Sequence, residues 1–570
     1  MTWRTQTVGT LALTLITAVA LSGCTAPDDT PASATSTRLS SPDDALTVIA
    51  ATDEEESSVR TSAALFDLSP VVIVAPQADP AAQNLAARAA VGLGVPLLVS
   101  DGVETATATA TPGAPVDPAT PAPEGLSAEF ARLTASTVIT VGDVGEITAA
   151  GTDSTLDIVA ADATAESLGR VTGLDLQAAE SDDPAGLTAA IAALATAGES
   201  TDGSAAGEAN AAPADSEVPR FEHGDLVGDT AALVADDPTH LAGIATARAA
   251  GLDVALVPVD APNPQATASV IETLAASGST KTLAIGEAFE DETALDWKIR
   301  SARSGSQLPG GGQLLFPTHQ FVALYGTPGT GSLGVLGEQD AVGAIERTRQ
   351  IAASYEGLSD KTVVPMFEII ATVAAGDAGG DGNYSNELDI ERLRPWIDQA
   401  AASGVYVVID LQPGRTDFLT QAKQYQSLLE LPNVGLAIDP EWRLGPDQVP
   451  LRQIGSVGAA EVNEVTSWLA DLTNEKSLPP KMFVLHQFQL RMLQDRASID
   501  TSRPELAMLI HADGQGAQPD KQATWSALHR DAPAGIAWGW KNFYDEDTPM
   551  LTPEQTMQEV SPLPDLVTYQ

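Results

Sequence analysis

Residues 434–446 read VGLAIDPEWRLGP, an apolar run of strand character that passes directly into charged and aromatic side chains. On a strand, positions i and i+2 point to the same side, so Asp439 and Glu441 are expected to share one face. Two carboxyl groups that face a pocket are typical of acid–base chemistry, whereas two that face solvent form an ordinary polar strand end. The neighbouring segments decide between these two interpretations.

Six further apolar segments lie between residues 321 and 543, three before residues 434–446 and three after them. Amphipathic helical segments separate most of them. They are FVALYGTP (321–328), TVVPMFEIIATV (362–373), VYVVIDLQPG (405–414), KMFVLHQFQ (481–489), LAMLIHADG (506–514) and GIAWGWKNF (535–543). Buried strands that alternate with helices predict an α/β fold, a TIM-like (β/α) barrel, over residues 313–570. Seven strands are recognised in this way, so the barrel has either seven strands or an eighth that this pattern does not reveal.

Polar residues stand at the carboxyl ends of these strands, and in a parallel barrel all such ends meet at one face. They are Glu368, Asp410, Asp439, Glu441, Trp442, His486, His511, Asp513, Trp538, Trp540 and Lys541. Each has an ordinary structural explanation when taken alone, since an Asp often caps a loop and a His or Trp often fills a core. Their coincidence on successive strands predicts a functional pocket.

Carboxylates beside indole rings suit a carbohydrate, because sugar faces stack on tryptophan and paired carboxyl groups supply an acid and a base. We expect Glu441 to be the general acid and Asp439 to raise its pKa by sharing a proton. Asp410 or Glu368 would then act as the base or stabilise the transition state. The remaining polar and aromatic residues of the pocket are expected to bind the substrate.

Two alternatives stay open. A protein that binds a sugar without cleaving it needs the same aromatic and polar groups but no carboxyl group with a perturbed pKa. A metal-dependent hydrolase would use His486, His511, Asp513 and Asp439. The sequence contains no compact metal-binding motif, so no metal and no cofactor is predicted.

The N-terminal half differs in composition from the barrel: no Trp occurs between Trp3 and Trp297, and the first Lys is Lys281. Segments 71–101 and 231–260 both read strand, helix, strand, and a strand ending in glycine follows each of them, TVITVG (137–142) and KTLAIG (281–286). Residues 46–290 are therefore predicted to form parallel βαβ units with an internal repeat. Low-complexity insertions near residues 102–125 and 197–219 are predicted to be disordered, and residues 291–312 to be a linker.

The first residues carry targeting signals. Arg4 precedes an apolar run over residues 8–21, as expected for a signal peptide over residues 1–23. Residues 24–45 are rich in Ser, Thr, Pro and Asp, which predicts a disordered tether. Cys24 is the only cysteine, so an intramolecular disulfide is excluded. The net charge of −48 argues against a nucleic-acid partner.

Two resemblances concern the cell envelope. The tetrad Leu21-Ser22-Gly23-Cys24 resembles the lipobox of bacterial lipoproteins, which implies that Cys24 is lipidated and that the protein is exported and anchored to the outer face of the cell membrane. Residues 66–290 resemble the cell-wall-binding repeat 2 modules of secreted bacterial proteins. Residues 77–81, QADPA, stand where that family has a Phe-Pro-Asp-Ala motif.

The barrel resembles those of glycoside hydrolases, and also an uncharacterised barrel of exported actinobacterial proteins. This resemblance implies a cell-wall or other glycan as the partner. In the large retaining clan an acid/base Glu follows strand four, where Glu441 stands, and a nucleophilic Glu ends strand seven. Here the seventh recognised strand ends in WGWKN (538–542), which departs from the retaining pattern.

Overall fold

The computed structural model describes residues 36–102, 125–147, 156–176, 184–196 and 217–570. The predicted signal peptide, Cys24 and most of the two predicted insertions lie outside the described residues. Within the described ranges, no helix has both the length and the apolar character that crossing a bilayer requires.

The N-terminal region contains short strands that alternate with helices. Its described strands are β1 (Arg38–Leu39), β2 (Leu46–Ile49), β3 (Phe66–Leu68), β4 (Val71–Pro76), β5 (Leu97–Ser100), β6 (Thr137–Val141), β7 (Asp157–Ala161), β8 (Thr230–Ala235), β9 (Val254–Val257) and β10 (Lys281–Ile285). Its described helices are α1 (Glu54–Leu65), α2 (Pro80–Leu93), α3 (Leu126–Leu133), α4 (Ala165–Thr172), α5 (Pro184–Ala192), α6 (Leu241–Ala249) and α7 (Ala268–Ala276).

Two four-stranded parallel sheets confirm the predicted parallel α/β character of this region. One has the order β5-β4-β6-β7 and the other the equivalent order β9-β8-β10-β2. In each, a strand–helix–strand unit lies beside the strand that ends in glycine. The two sheets differ in the strand at one edge. In the first sheet this strand is β7, which follows β6 in the chain, and in the second sheet it is β2, from the start of the region.

The two sheets share one apolar core. Val72 of β4 and Val234 of β8 belong to the same buried cluster as Ala86 of α2 and Ala245 of α6. Both sheets are therefore covered on one face by the same alanine-rich helical layer, which explains why this region uses small side chains and hardly any aromatic ones.

The second region begins after α8 (Leu295–Arg303). Its strands are β11 (His319–Gly326), β12 (Thr362–Ala374), β13 (Ser385–Glu387), β14 (Tyr406–Leu411), β15 (Val434–Ile438), β16 (Val457–Gly458), β17 (Lys481–Gln487), β18 (Leu493–Gln494), β19 (Leu506–Ala512), β20 (Ala537–Asn542) and β21 (Leu566–Tyr569). Its helices are α9 (Ala341–Ala353), α10 (Ile390–Ala402), α11 (Phe418–Gln424), α12 (Gln426–Leu429), α13 (Ala459–Glu475), α14 (Gln518–His529) and α15 (Pro553–Glu559).

Eight of these strands close into a parallel barrel in the order β11-β21-β20-β19-β17-β15-β14-β12, with β12 pairing back onto β11. The predicted TIM-like architecture is thus confirmed, and the number of strands is eight. The eighth strand is β21, which joins β20 to β11. Apolar side chains such as Phe321, Met366 and Leu509 fill the barrel lumen toward the N-terminal ends of the strands. A separate apolar cluster packs between the strands and the helices.

The predicted linker over residues 291–312 is wrong as a flexible segment, because it contains α8. Trp297 of this helix is fully buried, and its Nε1 donates a hydrogen bond to the carbonyl of Leu478 at 3.2 Å. Arg303 at the other end of α8 donates to Thr282 Oγ1 of β10 at 2.6 Å. The helix therefore holds the barrel against the N-terminal region.

The predicted tether over residues 24–45 is wrong for its last ten residues. β1 pairs antiparallel with β3, and the amide of Thr37 donates to the carbonyl of Glu222 at 2.9 Å. These backbone hydrogen bonds make residues 36–45 part of the folded N-terminal region, and β2 begins directly after them.

Candidate active site

The C-terminal ends of the eight barrel strands converge on a layer of polar side chains, which we call the polar layer. Each strand contributes one member, because alternate residues of a barrel strand point into the lumen. Seven members lie at the end of a strand or directly after it, and Glu368 lies inside the longer strand β12. The members are Tyr325, Glu368, Asp410, Asp439, His486, His511, Lys541 and Thr568. None of the eight is more than 3% exposed.

His486 lies at the centre of this layer. Its Nε2 is 2.7 Å from Glu368 Oε1 and 3.9 Å from Asp410 Oδ1, and its Nδ1 is 3.0 Å from Asp513 Oδ2. Burial alone would lower the pKa of His486, but the surrounding carboxylates, led by Glu368 and Asp410, hold it well above 6.5. This raised pKa favours the imidazolium form, which can donate to a carboxylate from each ring nitrogen.

His511 is the neighbouring histidine, with its ring centroid 4.9 Å from that of His486. Its Nε2 is 3.0 Å from Thr568 Oγ1, and its Nδ1 is 3.8 Å from Glu368 Oε2. Burial and the positive charges of His486 and Lys541 hold the pKa of His511 well below 6.5. The pKa values of these two adjacent histidines are therefore shifted in opposite directions.

A second contact set holds Asp410. The hydroxyl of Tyr325 donates to Asp410 Oδ2 at 2.9 Å, and Lys541 Nζ lies 3.5 Å from the centroid of the Tyr325 ring. Burial raises the pKa of Asp410 to about 6, with a further increase from Glu368 and an opposing effect of His486. The surroundings of this buried carboxyl group therefore bring its pKa close to the physiological range.

The sequence predicts that Asp439 and Glu441 share one face of a strand, and the structure shows that this prediction is wrong. The strand ends at Ile438, and Asp439 caps a 3-10 turn over Pro440–Trp442 by accepting the amide N–H of Glu441 at 3.0 Å. Pro440 at the start of this turn breaks the alternation, because proline cannot continue the strand ladder. Asp439 is buried in the polar layer, and Glu441 and Trp442 are half-buried beside it.

The two carboxyl groups differ in environment but not in the direction of their shifts. Burial holds the pKa of Asp439 well above 3.8; Asp410 adds to this effect and His486 opposes it. Burial also raises the pKa of Glu441 to about 7, with a further contribution from Asp513 and an opposing one from Lys541. A carboxyl group with a pKa near 7 can act as a general acid at neutral pH.

Trp538 and Trp540 do not face the site, so their predicted role in substrate binding is wrong. Both belong to the apolar cluster between the strands and the helices, where they contact the ring of Trp525 on α14. The lumen positions of β20 are instead Gly539 and Lys541. A Cβ on Gly539 would lie 2.6 Å from His511 Cδ2, which shows that this position points at the imidazole.

The structure brings together seven of the predicted residues: Glu368, Asp410, Asp439, His486, His511, Asp513 and Lys541. The sequence analysis missed Tyr325 and Thr568. Tyr325 could have been found as the last of three alternating lumen residues in FVALY (321–325), but Thr568 lies in a strand that was not recognised.

Donor atoms suited to a metal ion are present in the polar layer. Among the described residues, Glu368, His486 and His511 each offer one ligand atom, and these atoms lie within 4.8 Å of one another. Four buried atoms around them have no hydrogen-bond partner: Glu368 Oε2, Asp410 Oδ1, His511 Nδ1 and Asp513 Oδ1.

Comparison of the sequence with protein-family models and with curated proteins gives no match.

Proposed function

We propose that the barrel hydrolyses a glycan of the cell envelope, with Glu441 as the general acid. The observation that carries this proposal is the position of Glu441: half-buried at the C-terminal face of a (β/α)8 barrel and electrostatically coupled to the buried groups Asp513 and Lys541. Acid-catalysed cleavage of a glycosidic bond needs a carboxyl group that is protonated near neutral pH, together with further carboxylates across the sugar.

Asp439 is assigned a positioning role. Its side chain accepts the N–H of Glu441 and so fixes the turn that carries the acid. Asp410 and Glu368 supply the negative charge that an oxocarbenium-like transition state requires. Trp442 is the indole that stands next to Glu441 in the turn, so it takes the stacking role first expected of Trp538 and Trp540.

The setting of this activity is also a proposal. The signal-peptide pattern and the lipobox-like tetrad ending in Cys24 support export and lipid anchoring outside the cell membrane. The repeated α/β sheets support a wall-binding region that holds the barrel close to its substrate, and α8 joins the two regions.

The test is incubation of the purified full chain with peptidoglycan, arabinogalactan, and α- and β-glucan fragments while new reducing ends are measured. Glu441→Gln keeps the shape of the side chain but cannot deliver a proton, so turnover should fall by about 10²–10⁴-fold while binding is retained. Glu464→Gln, on the exposed face of α13, is the matched control and should retain full activity.

Binding of a fragment without release of reducing ends would reject hydrolysis in favour of a binding protein. Equal turnover of wild type and Glu441→Gln would reject Glu441 as the acid.

A further inference from the structure

We propose that Glu368, His486 and His511 bind a divalent transition-metal ion, with Zn²⁺ as the ion that suits the donor set best. These residues come from three separate strands, β12, β17 and β19, and are fully buried in the polar layer. Their ligand atoms lie within 4.8 Å of one another. One ion with bonds of about 2.0–2.2 Å holds its ligand atoms no more than about 4.4 Å apart, so small side-chain shifts would complete the site.

The outer nitrogen of each imidazole is held by a second residue. His486 Nδ1 is 3.0 Å from Asp513 Oδ2, and His511 Nε2 is 3.0 Å from Thr568 Oγ1. Metal-binding histidines usually have their distal ring nitrogen hydrogen-bonded in this way, which fixes the ring orientation and the tautomer. The two remaining nitrogens, His486 Nε2 and His511 Nδ1, both face Glu368. His511 Nδ1 is unpartnered, and at His486 Nε2 the ion would replace the proton that is donated to Glu368 Oε1.

Unpartnered atoms lie at the place where the ion would bind. Glu368 Oε2 and His511 Nδ1 are fully buried, have no hydrogen-bond partner and are 3.8 Å apart. Leaving such groups unsatisfied is unfavourable, and a bound ion would satisfy both atoms. Asp410 Oδ1, which is also unpartnered, lies 3.9 Å from His486 Nε2 and is placed to be a fourth ligand.

The donor types select the class of ion. Two imidazole nitrogens with carboxylate oxygens suit Zn²⁺, Mn²⁺ or Fe²⁺, whereas Ca²⁺ and Mg²⁺ prefer oxygen ligands throughout. A buried water molecule is the competing occupant, because it also satisfies two to four polar atoms. The inference does not depend on the reaction proposed above, since metal binding is measured without substrate.

The test uses the full chain after removal of metal with a chelator. Calorimetric titration with Zn²⁺ should show one equivalent of metal bound, and Co²⁺ should give the visible absorption bands of an ion with nitrogen ligands. Glu368→Gln and His511→Gln should abolish the tight site, and Thr568→Val should weaken it by about 10–100-fold because it removes only an orienting partner.

His529→Gln is the matched control, because His529 stacks on Trp538 outside the lumen and should leave binding unchanged. Circular dichroism reports whether each variant is folded. If the ligand variants do not fold, Thr568→Val and the Co²⁺ spectrum of the wild type decide. Absence of stoichiometric binding by the wild type, or equal binding by the wild type and the folded ligand variants, would overturn the proposal.

Discussion

Replacing Gly539 by alanine tests the close packing of the polar layer. The added Cβ would lie 2.6 Å from His511 Cδ2 and 3.1 Å from Leu509 Cδ2, whereas ordinary van der Waals contact begins at 3.4 Å. The imidazole would have to retreat by about 0.8 Å. It has little room to do so, because Thr568 and Glu368 flank the two ring nitrogens of His511.

The expected cost follows from this geometry. Forcing a methyl group into a well-packed core typically costs about 1–3 kcal/mol in the free energy of unfolding. Since each kcal/mol shifts the melting temperature of a domain of about 250 residues by roughly 2–4 °C, the barrel should melt about 2–12 °C lower. Six of the eight tryptophans lie in residues 313–570, so thermal unfolding followed by tryptophan fluorescence reports mainly on the barrel.

Gly376→Ala is the matched control, because no atom lies within 4 Å of a Cβ at that loop position. The control removes the same backbone entropy from the unfolded chain and should leave the melting temperature unchanged or slightly raised. If Gly539→Ala melts at the same temperature as the control, the contact between β20 and His511 is not as close as described.

Three further predictions concern other parts of the chain. Folding raises the pKa of Glu441 from 4.5 to about 7, so protonation of this group stabilises the folded state fully below pH 4.5, and this stabilisation is lost as the pH rises through 7. The melting temperature of the wild type should therefore fall more between pH 4.5 and 7 than that of Glu441→Gln. A difference in melting temperature that stays constant over this interval would contradict the prediction. A fragment of residues 292–570 should melt at a higher temperature than one of residues 313–570, because only the longer one keeps the buried Trp297 and its hydrogen bond to Leu478, and equal melting temperatures would show that α8 does not stabilise the barrel. Cys24→Ser should move the protein from the membrane fraction to the medium, since the acyl chains supply the anchoring; an unchanged membrane fraction would exclude a lipid anchor at Cys24.

Strand positions were predictable where a continuous apolar run ends in a polar residue. The eighth strand was not, because β21 has only four residues, LVTY, and follows a segment with two prolines, SPLPD (561–565). A run this short does not exceed what an ordinary loop contains, and only closure of the barrel against β11 and β20 gives it strand pairing.

The convergence of carboxylates and histidines was predictable from topology, but the direction of each side chain was not. Strands of a parallel barrel are buried on both faces, so apolar character does not distinguish the lumen from the helix layer. Trp538 and Trp540 show the consequence, since they are as apolar as any lumen residue and yet face outward. The alternation of Gly539 and Lys541 with the two tryptophans indicated which residues of this strand face the lumen, because a small or a polar residue fits beside the polar layer.

The composition of the polar layer is itself an argument for function. Three carboxylic acids, Glu368, Asp410 and Asp439, are buried there with two histidines and one lysine, and several of their atoms have no hydrogen-bond partner. Replacing buried ionic groups by well-packed apolar ones is often neutral or stabilising by about 1–4 kcal/mol, and the lower part of the same lumen is filled in that apolar way. Stability alone therefore favours valine or leucine at these positions. Strongly perturbed pKa values and unsatisfied buried groups concentrate at active sites, and here they lie at the end of the barrel where active sites form, which supports the proposed catalysis and the proposed ion binding.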